Sequence, residues 1–160
     1  MSRILVTVAV LAALGVAAGP AAAATTRVLD QPDGSRLAVT LVRMVDGAQP
    51  DRQLERANFG ARYLVAELRV ENLGESTFTA PPDPGARLVT SGRRAFSPWP
   101  VDLVQPTLAG AQVAPGEEAL VNVTFQVPAG LRPGFLRLRL TRGGEAAAWR
   151  RDERFAEVAD

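Results

Sequence analysis

Along most of the chain apolar residues alternate with polar ones in short runs, and Gly or Pro clusters separate the runs. A period of two places every second side chain on one face of an extended strand, so the pattern predicts half-buried β-strands. The clearest run is Arg62 to Asn72, where Leu64, Ala66, Leu68 and Val70 alternate with Glu67, Arg69 and Glu71. This is the mark of a sheet with one wet and one buried face. A second run, Glu118 to Val127, sets Ala119, Val121, Val123, Phe125 and Val127 against Leu120, Asn122, Thr124 and Gln126. A third, Phe135 to Thr141, turns Leu136, Leu138 and Leu140 inward and Arg137 and Arg139 outward.

The remaining elements follow from turn chemistry. Thr26 to Leu29 is a short strand ended by Gln31-Pro32-Asp33-Gly34, and Arg36 to Val45 follows with Leu37, Val39 and Leu41 on one face. Gly47 to Gly60 is polar and irregular, a loop with a candidate helical turn at Asp51 to Ala57. Ser76 to Ala80 is a brief strand cut short by Pro81, Pro82 and Pro84, and Ala86 to Thr90 pairs with Arg94 to Phe96 around Ser91-Gly92-Arg93. Pro98 to Pro106 crosses over as a loop, Pro115-Gly116 turns into the Glu118 strand, and Gly143-Gly144 is a hairpin signal. Ala146 to Phe155 reads either as a strand around Trp149 or as a short helix.

Seven or more such strands predict an all-β fold, an antiparallel sandwich of about seven to nine strands. The inward faces of Arg62 to Asn72 and Glu118 to Val127 are expected to meet across its middle, with Leu68, Val70, Val121, Val123 and Phe125 in the core.

The first residues break this pattern. Met1 to Ala24 has a positive start at Arg3, an apolar run from Ile4 to Val16 and a small-residue tail, the three parts of an export signal peptide. Cleavage is expected after Ala22-Ala23-Ala24, before Thr25, or one residue earlier. The apolar run is shorter than the ~20 residues a membrane span needs. Residues 25–160 are expected to form a single extracytoplasmic domain, periplasmic or secreted. Its 136 residues suffice for one core without disulfides, for the chain has no cysteine.

Composition narrows the chemistry. Loss of Arg3 leaves 17 arginines against 17 carboxylates, a balance that argues against a nucleic-acid binder. With no histidine, cysteine or lysine, Ser-His, Cys-His and Ser-Lys catalysis are excluded, and a copper or other transition-metal site is disfavoured. Carboxylate pairs such as Glu117 and Glu118 lie beside a turn, where solvated acids are expected rather than a glycosidase pair. Asp30 to Asp33 reads as a turn rather than a calcium cage. Thr25 reads as an acceptable cleavage residue rather than an N-terminal nucleophile. Asn122-Val123-Thr124 matches a glycosylation acceptor but falls inside a strand. No enzyme and no cofactor are expected.

The run Phe59-Gly60-Ala61-Arg62-Tyr63-Leu64-Val65-Ala66-Glu67-Leu68-Arg69-Val70-Glu71-Asn72-Leu73-Gly74 resembles the middle strand of small bacterial secreted immunoglobulin-like domains of undefined function, a group that includes a mycobacterial secreted immunogenic antigen. Val113-Ala114-Pro115-Gly116-Glu117 before a strand ending Phe125-Gln126-Val127-Pro128 is similar to the group's second hallmark, and Val89 to Phe96 to its Gly-centred hairpin. The resemblance spans roughly residues 36 to 141. It implies an immunoglobulin-like fold and an extracytoplasmic location, and no catalytic residues.

Two surface features remain as candidate binding sites. Arg137, Arg139 and Arg142 form a candidate anion-binding face, with Arg62 and Arg69 expected on a neighbouring outward face; the plainer expectation pairs them with Glu67 and Glu71. Phe96, Pro98, Trp99 and Pro100 form an aromatic, proline-rich loop that serves either to cap its own sandwich or to recognise a partner. The expected partner is a protein or a cell-envelope component. The alternative function is a secreted protease inhibitor acting through the loop at 97–107.

Overall fold

The computed structural model describes residues 25–48, 57–99 and 106–150. Ten strands run through them: β1 (Thr26–Asp30), β2 (Arg36–Asp46), β3 (Ala61–Asn72), β4 (Phe78–Thr79), β5 (Arg87–Thr90), β6 (Ala95–Phe96), β7 (Gln112–Val113), β8 (Glu118–Pro128), β9 (Pro133–Arg139) and β10 (Ala146–Arg150). The first large sheet has the order β1-β2-β3-β8 and the second β10-β9-β5-β6, while β4 and β7 pair as a small third sheet. All these pairings are antiparallel. Among the described residues no helix is long and apolar enough to cross a membrane. The signal peptide at 1–24 lies outside the described residues, as does nearly all of the helical turn expected at 51–57.

The alternation read from the sequence becomes the core. Leu64, Ala66, Leu68 and Val70 of β3 and Val121, Val123, Phe125 and Val127 of β8 are buried, and Leu136, Leu138 and Leu140 face them from the second sheet. Trp149 joins this core from β10 and donates its indole Nε1–H to the carbonyl of Thr25 at 2.8 Å. That settles the choice at 146–150 in favour of a strand; residues 151–155 lie outside the described set. In β2 a register shift between Leu41 and Arg43 passes the buried role from Leu41 to Met44.

One expectation needs correction. β3 and β8 do not face each other across the sandwich; they are neighbours in one sheet, paired from Ala61↔Pro128 to Glu71↔Glu118. Alternation reports which face of a strand is buried and carries no information about which sheet the strand joins. Their alignment is fixed at one end by the two motifs noted in the sequence. The amide of Asn72 donates to the carbonyl of Glu117 at 2.9 Å, and the amide of Gly116 donates back to Asn72 at 2.8 Å. Gly116 has a φ of 73°, a left-handed turn that glycine adopts without strain.

The Asn72 side chain, fully buried, ties in the neighbouring turns. Its Nδ2 donates to the carbonyls of Ser76 (2.8 Å) and Val113 (2.9 Å), and its Oδ1 accepts from the amide of Gly74 (2.9 Å). Asn-x-Gly and Pro-Gly-Glu are thus one hydrogen-bonded clamp. At the opposite end, Arg62 pairs with Asp46 and donates to the carbonyls of Pro128 (3.2 Å), Ala129 and Leu131 (2.9 Å), closing the end of β3 over the β8–β9 connection.

Candidate functional site: an arginine-bearing outer face

The strands of the second sheet carry no carboxylate at all. Their inward positions hold Leu88, Leu136, Leu138, Ala147 and Trp149, so alternation sends Arg87, Arg137, Arg139 and Arg150 outward, all exposed. The register then gathers them. Arg87 lies directly opposite Arg137, Arg139 is two residues further along β9, and Arg150 sits opposite Phe135, diagonal to Arg137.

Neighbours across a ladder stand about 5 Å apart and alternate residues of one strand about 6.8 Å apart, so Arg87 and Arg139 are immediate neighbours of Arg137 and Arg150 lies diagonal to it. Phe135 and Val89, both half-buried, share this face with them, and the other neighbours are small. Ala146 and Ala148 stand beside Arg139 and Arg137 on β10, and Gly85 exchanges backbone hydrogen bonds with Arg139 on the other side, at 2.9 and 3.1 Å. A Cβ at Gly85 would meet the carbonyl oxygen of Arg139 at 3.1 Å and its Cβ at 3.3 Å.

The candidate residues are distributed as follows. Arg137 and Arg139 belong to this cluster; Arg142 lies beyond it, exposed in the β9–β10 connection. Arg62 and Arg69 belong to the first sheet, where both are paired: Arg62 with Asp46, and Arg69 with Glu118 at 3.7 Å. Glu67 likewise pairs within that sheet, with Arg43 at 2.5 Å. Glu67 and Glu71, the acids expected to neutralise Arg137 and Arg139, therefore lie on strand β3 of the other sheet. Arg87 and Arg150 were not singled out from the sequence, although the alternation of Arg87-Leu88 and of Ala146 to Arg150 carried the signal.

Phe96 and Trp99 lie elsewhere. Phe96 pairs with Leu88 and packs its half-buried ring against the core. Trp99 is half-exposed on the outside of the first sheet, its ring centroid 6.4 Å from that of Tyr63, and its amide donates to the carbonyl of Thr124 at 2.7 Å. Pro100 and the rest of the loop to residue 105 lie outside the described residues. Trp99 and the residues from Pro106 onward line the free edge of β8, where Leu108 donates to Asn122 and Asn122 to Pro106, both at 2.9 Å. This explains why Asn122 and Thr124, outward by alternation, are buried. It also places the glycosylation-like Asn122 where its Nδ2 donates to the carbonyl of Pro106 at 3.1 Å. A cleft of about 250 Å³ opens beside the loop, lined by Pro82, Pro84, Trp99, Leu108 and Thr124 among others.

Asp33 behaves as the turn residue read from the sequence. Its Oδ1 accepts from the Ser35 hydroxyl (2.6 Å) and amide (3.0 Å), and these bonds, the hydroxyl's first, hold its pKa below the ordinary carboxylate value. Asp30 forms an ion pair with Arg36 at 3.6 Å. Among the described residues no group of three or more metal-ligating side chains comes together.

The architecture defines an all-β protein of the immunoglobulin-like sandwich class, built from two four-stranded antiparallel sheets. The chain belongs to the family described as a domain of unknown function, DUF4352, whose model matches residues 32–146. Its fold is similar to that of MPT63, a secreted protein from Mycobacterium tuberculosis, with 16% identity, a TM-score of 0.60, and coverage of 79% of this chain and 92% of that one. It is similar also to a Bacillus subtilis protein, ycdA, described provisionally as a lipoprotein, at 14% identity and a TM-score of 0.57; the match covers 79% of this chain and 38% of that one. An uncharacterised β-sandwich protein from Clostridium difficile matches at 12% identity and a TM-score of 0.50, over 71% of this chain and 84% of that one. A comparison with curated proteins found no match.

Proposed function

We propose that the protein is an exported, non-enzymatic immunoglobulin-like domain that binds an acidic partner, a protein or a cell-envelope component, across the outer face of the second sheet. The observation that carries this reading is the cluster of Arg87, Arg137, Arg139 and Arg150 on strands without a single carboxylate. Guanidinium groups stay charged at any physiological pH and bind carboxylate or phosphate through paired hydrogen bonds. Setting Arg87 against Arg137 costs stability through like-charge repulsion, a cost that an anionic partner removes. Export is supported by the leader at Met1 to Ala24 and by the description of the structural neighbour MPT63 as secreted.

Chromatography on immobilised heparin tests the reading. Retention at low salt that disappears at modest salt, and an earlier elution for Arg137→Ala/Arg139→Ala, is the expected result, because exposed charge pairs are screened within a Debye length of about 10 Å at 0.1 M salt. Passage of the unaltered protein straight through at low salt would end the proposal.

A further inference from the structure

A different surface, at the end of the sandwich closed by Arg62, combines two features that neither packing nor the arginine face explains. Three connections meet there. The amide of Ala129 donates to the carbonyl of Gly60 at 2.8 Å, and the amide of Ser91 donates to the carbonyl of Arg132 at 3.1 Å, so the segments around 57–60, 128–132 and 91–94 share one tip. At this tip Phe59 is fully exposed, the most exposed large apolar side chain among the described residues. At the same tip stand Arg93, Arg94 and Arg132, exposed and, among the described residues, without an ion pair.

Among the described residues the acids lie elsewhere. Asp46, the described carboxylate near this end, is taken by Arg62, whereas Asp33, Glu75, Glu117 and Glu145 sit in the turns at the opposite end. The described residues are thus polarised along the strand axis, with an apolar ring projecting from their basic end. Residues 91–94 form a hydrogen-bonded hairpin turn: Arg93 has a φ of 61°, unusual for a residue with a side chain, and the Thr90 backbone exchanges hydrogen bonds with Arg93 and Arg94, both at 2.9 Å.

We infer that this end docks onto an anionic phospholipid bilayer, with Phe59 entering the headgroup region and Arg93, Arg94 and Arg132 on lipid phosphates. A lone ring exposed to water gains by leaving it, and arginines near an anionic surface add attraction that a soluble acidic partner offers only without the apolar layer. The combination of one projecting apolar ring and flanking cations fits a surface that is itself layered, charged outside and apolar beneath. The inference is independent of the arginine face of the second sheet, which lies on the flank of the molecule and carries no fully exposed aromatic residue.

Sedimentation with vesicles tests it, using protein purified after export from the cells that make it. Vesicles of phosphatidylcholine mixed with phosphatidylglycerol should carry the protein down, and phosphatidylcholine alone should not. Phe59→Ser should weaken binding by roughly 10-fold, the value of a partly buried ring, and should leave the melting temperature unchanged because Phe59 packs against nothing. Arg93→Ala/Arg94→Ala/Arg132→Ala should weaken it by about 100-fold, at about 5-fold for each arginine. Arg137→Ala/Arg139→Ala should sediment as the unaltered protein does. Failure to bind phosphatidylglycerol vesicles overturns the inference, as does binding that survives both tip variants or is lost only when Arg137 and Arg139 are changed.

Discussion

Each outer face of the sandwich sets two like charges directly opposite one another, and the two faces treat them differently. On the first sheet Glu71 lies opposite Glu118, and Arg69 reaches Glu118 to offset the repulsion. Around that pair the face alternates in sign, with Arg43 on Glu67 and Arg36 on Asp30. On the second sheet Arg87 lies opposite Arg137, and the neighbouring positions are Arg139, Arg150, Phe135, Val89, alanine and glycine, none of them acidic. Local neutralisation is what a solvated sheet surface needs, and the first face provides it. Among the described residues the second face leaves its repulsion standing, which is the physical reason to read it as a surface completed by something else.

This contrast rests on the register that makes one set of residues outer, and breaking that register should have the largest effect. Val123, inward between outward Asn122 and Thr124, is buried, so Val123→Asp places an uncompensated charge in the core and should abolish the cooperative thermal transition. A variant that melts as the unaltered protein does would remove the assignment of faces. Next comes the clamp that holds β3 beside β8. Asn72→Ala leaves the carbonyls of Ser76 and Val113 and the amide of Gly74 without their partner and should cost about 2–4 kcal/mol, measured by urea denaturation.

Smaller effects should separate the faces by sign. Arg69→Ala frees Glu71 and Glu118 to repel and should lower stability by about 0.5 kcal/mol, as exposed ion pairs do. Arg137→Ala relieves the repulsion with Arg87 and should leave stability unchanged or raise it by about 0.5 kcal/mol. Equal losses in the two variants would erase the difference between the faces. The smallest effect lies at Asp33. Its folded pKa is lowered, so its contribution is present above the ordinary carboxylate value and is lost as pH falls through the folded value. Ser35→Ala should raise that pKa toward the ordinary value by NMR titration, with little change in stability because the group is exposed.

Much of the fold was legible because strand alternation is a local property. Leu136, Leu138 and Leu140 against Arg137 and Arg139 needed no knowledge of any other strand. What escaped the sequence depends on pairing. Nothing in Arg62 to Asn72 or Glu118 to Val127 says that the two strands lie side by side; that follows from the contact of Asn72 with Gly116 and Glu117, 44 and 45 residues away. The same gap hid the site. Arg137 and Arg139 were visible on one strand, but Arg87 and Arg150 join them only through the β5–β9 and β9–β10 registers, and Arg62 and Arg69 leave them because their strand belongs to the other sheet. Trp99 illustrates a third limit. Its loop composition fits either a cap or a recognition surface, and only the contacts with Tyr63 and Thr124 put Trp99 itself beside β8.

The most direct test of the central claim is a residue-resolved titration of the isotopically labelled protein with a short heparin oligosaccharide, followed by amide NMR. The account predicts shifts centred on Arg87, Arg137, Arg139 and Arg150 and their strand neighbours, diminishing as salt is raised, while the amides of Glu67, Arg69 and Glu118 stay in place. Shifts centred on the first sheet, or none at low salt, would contradict it.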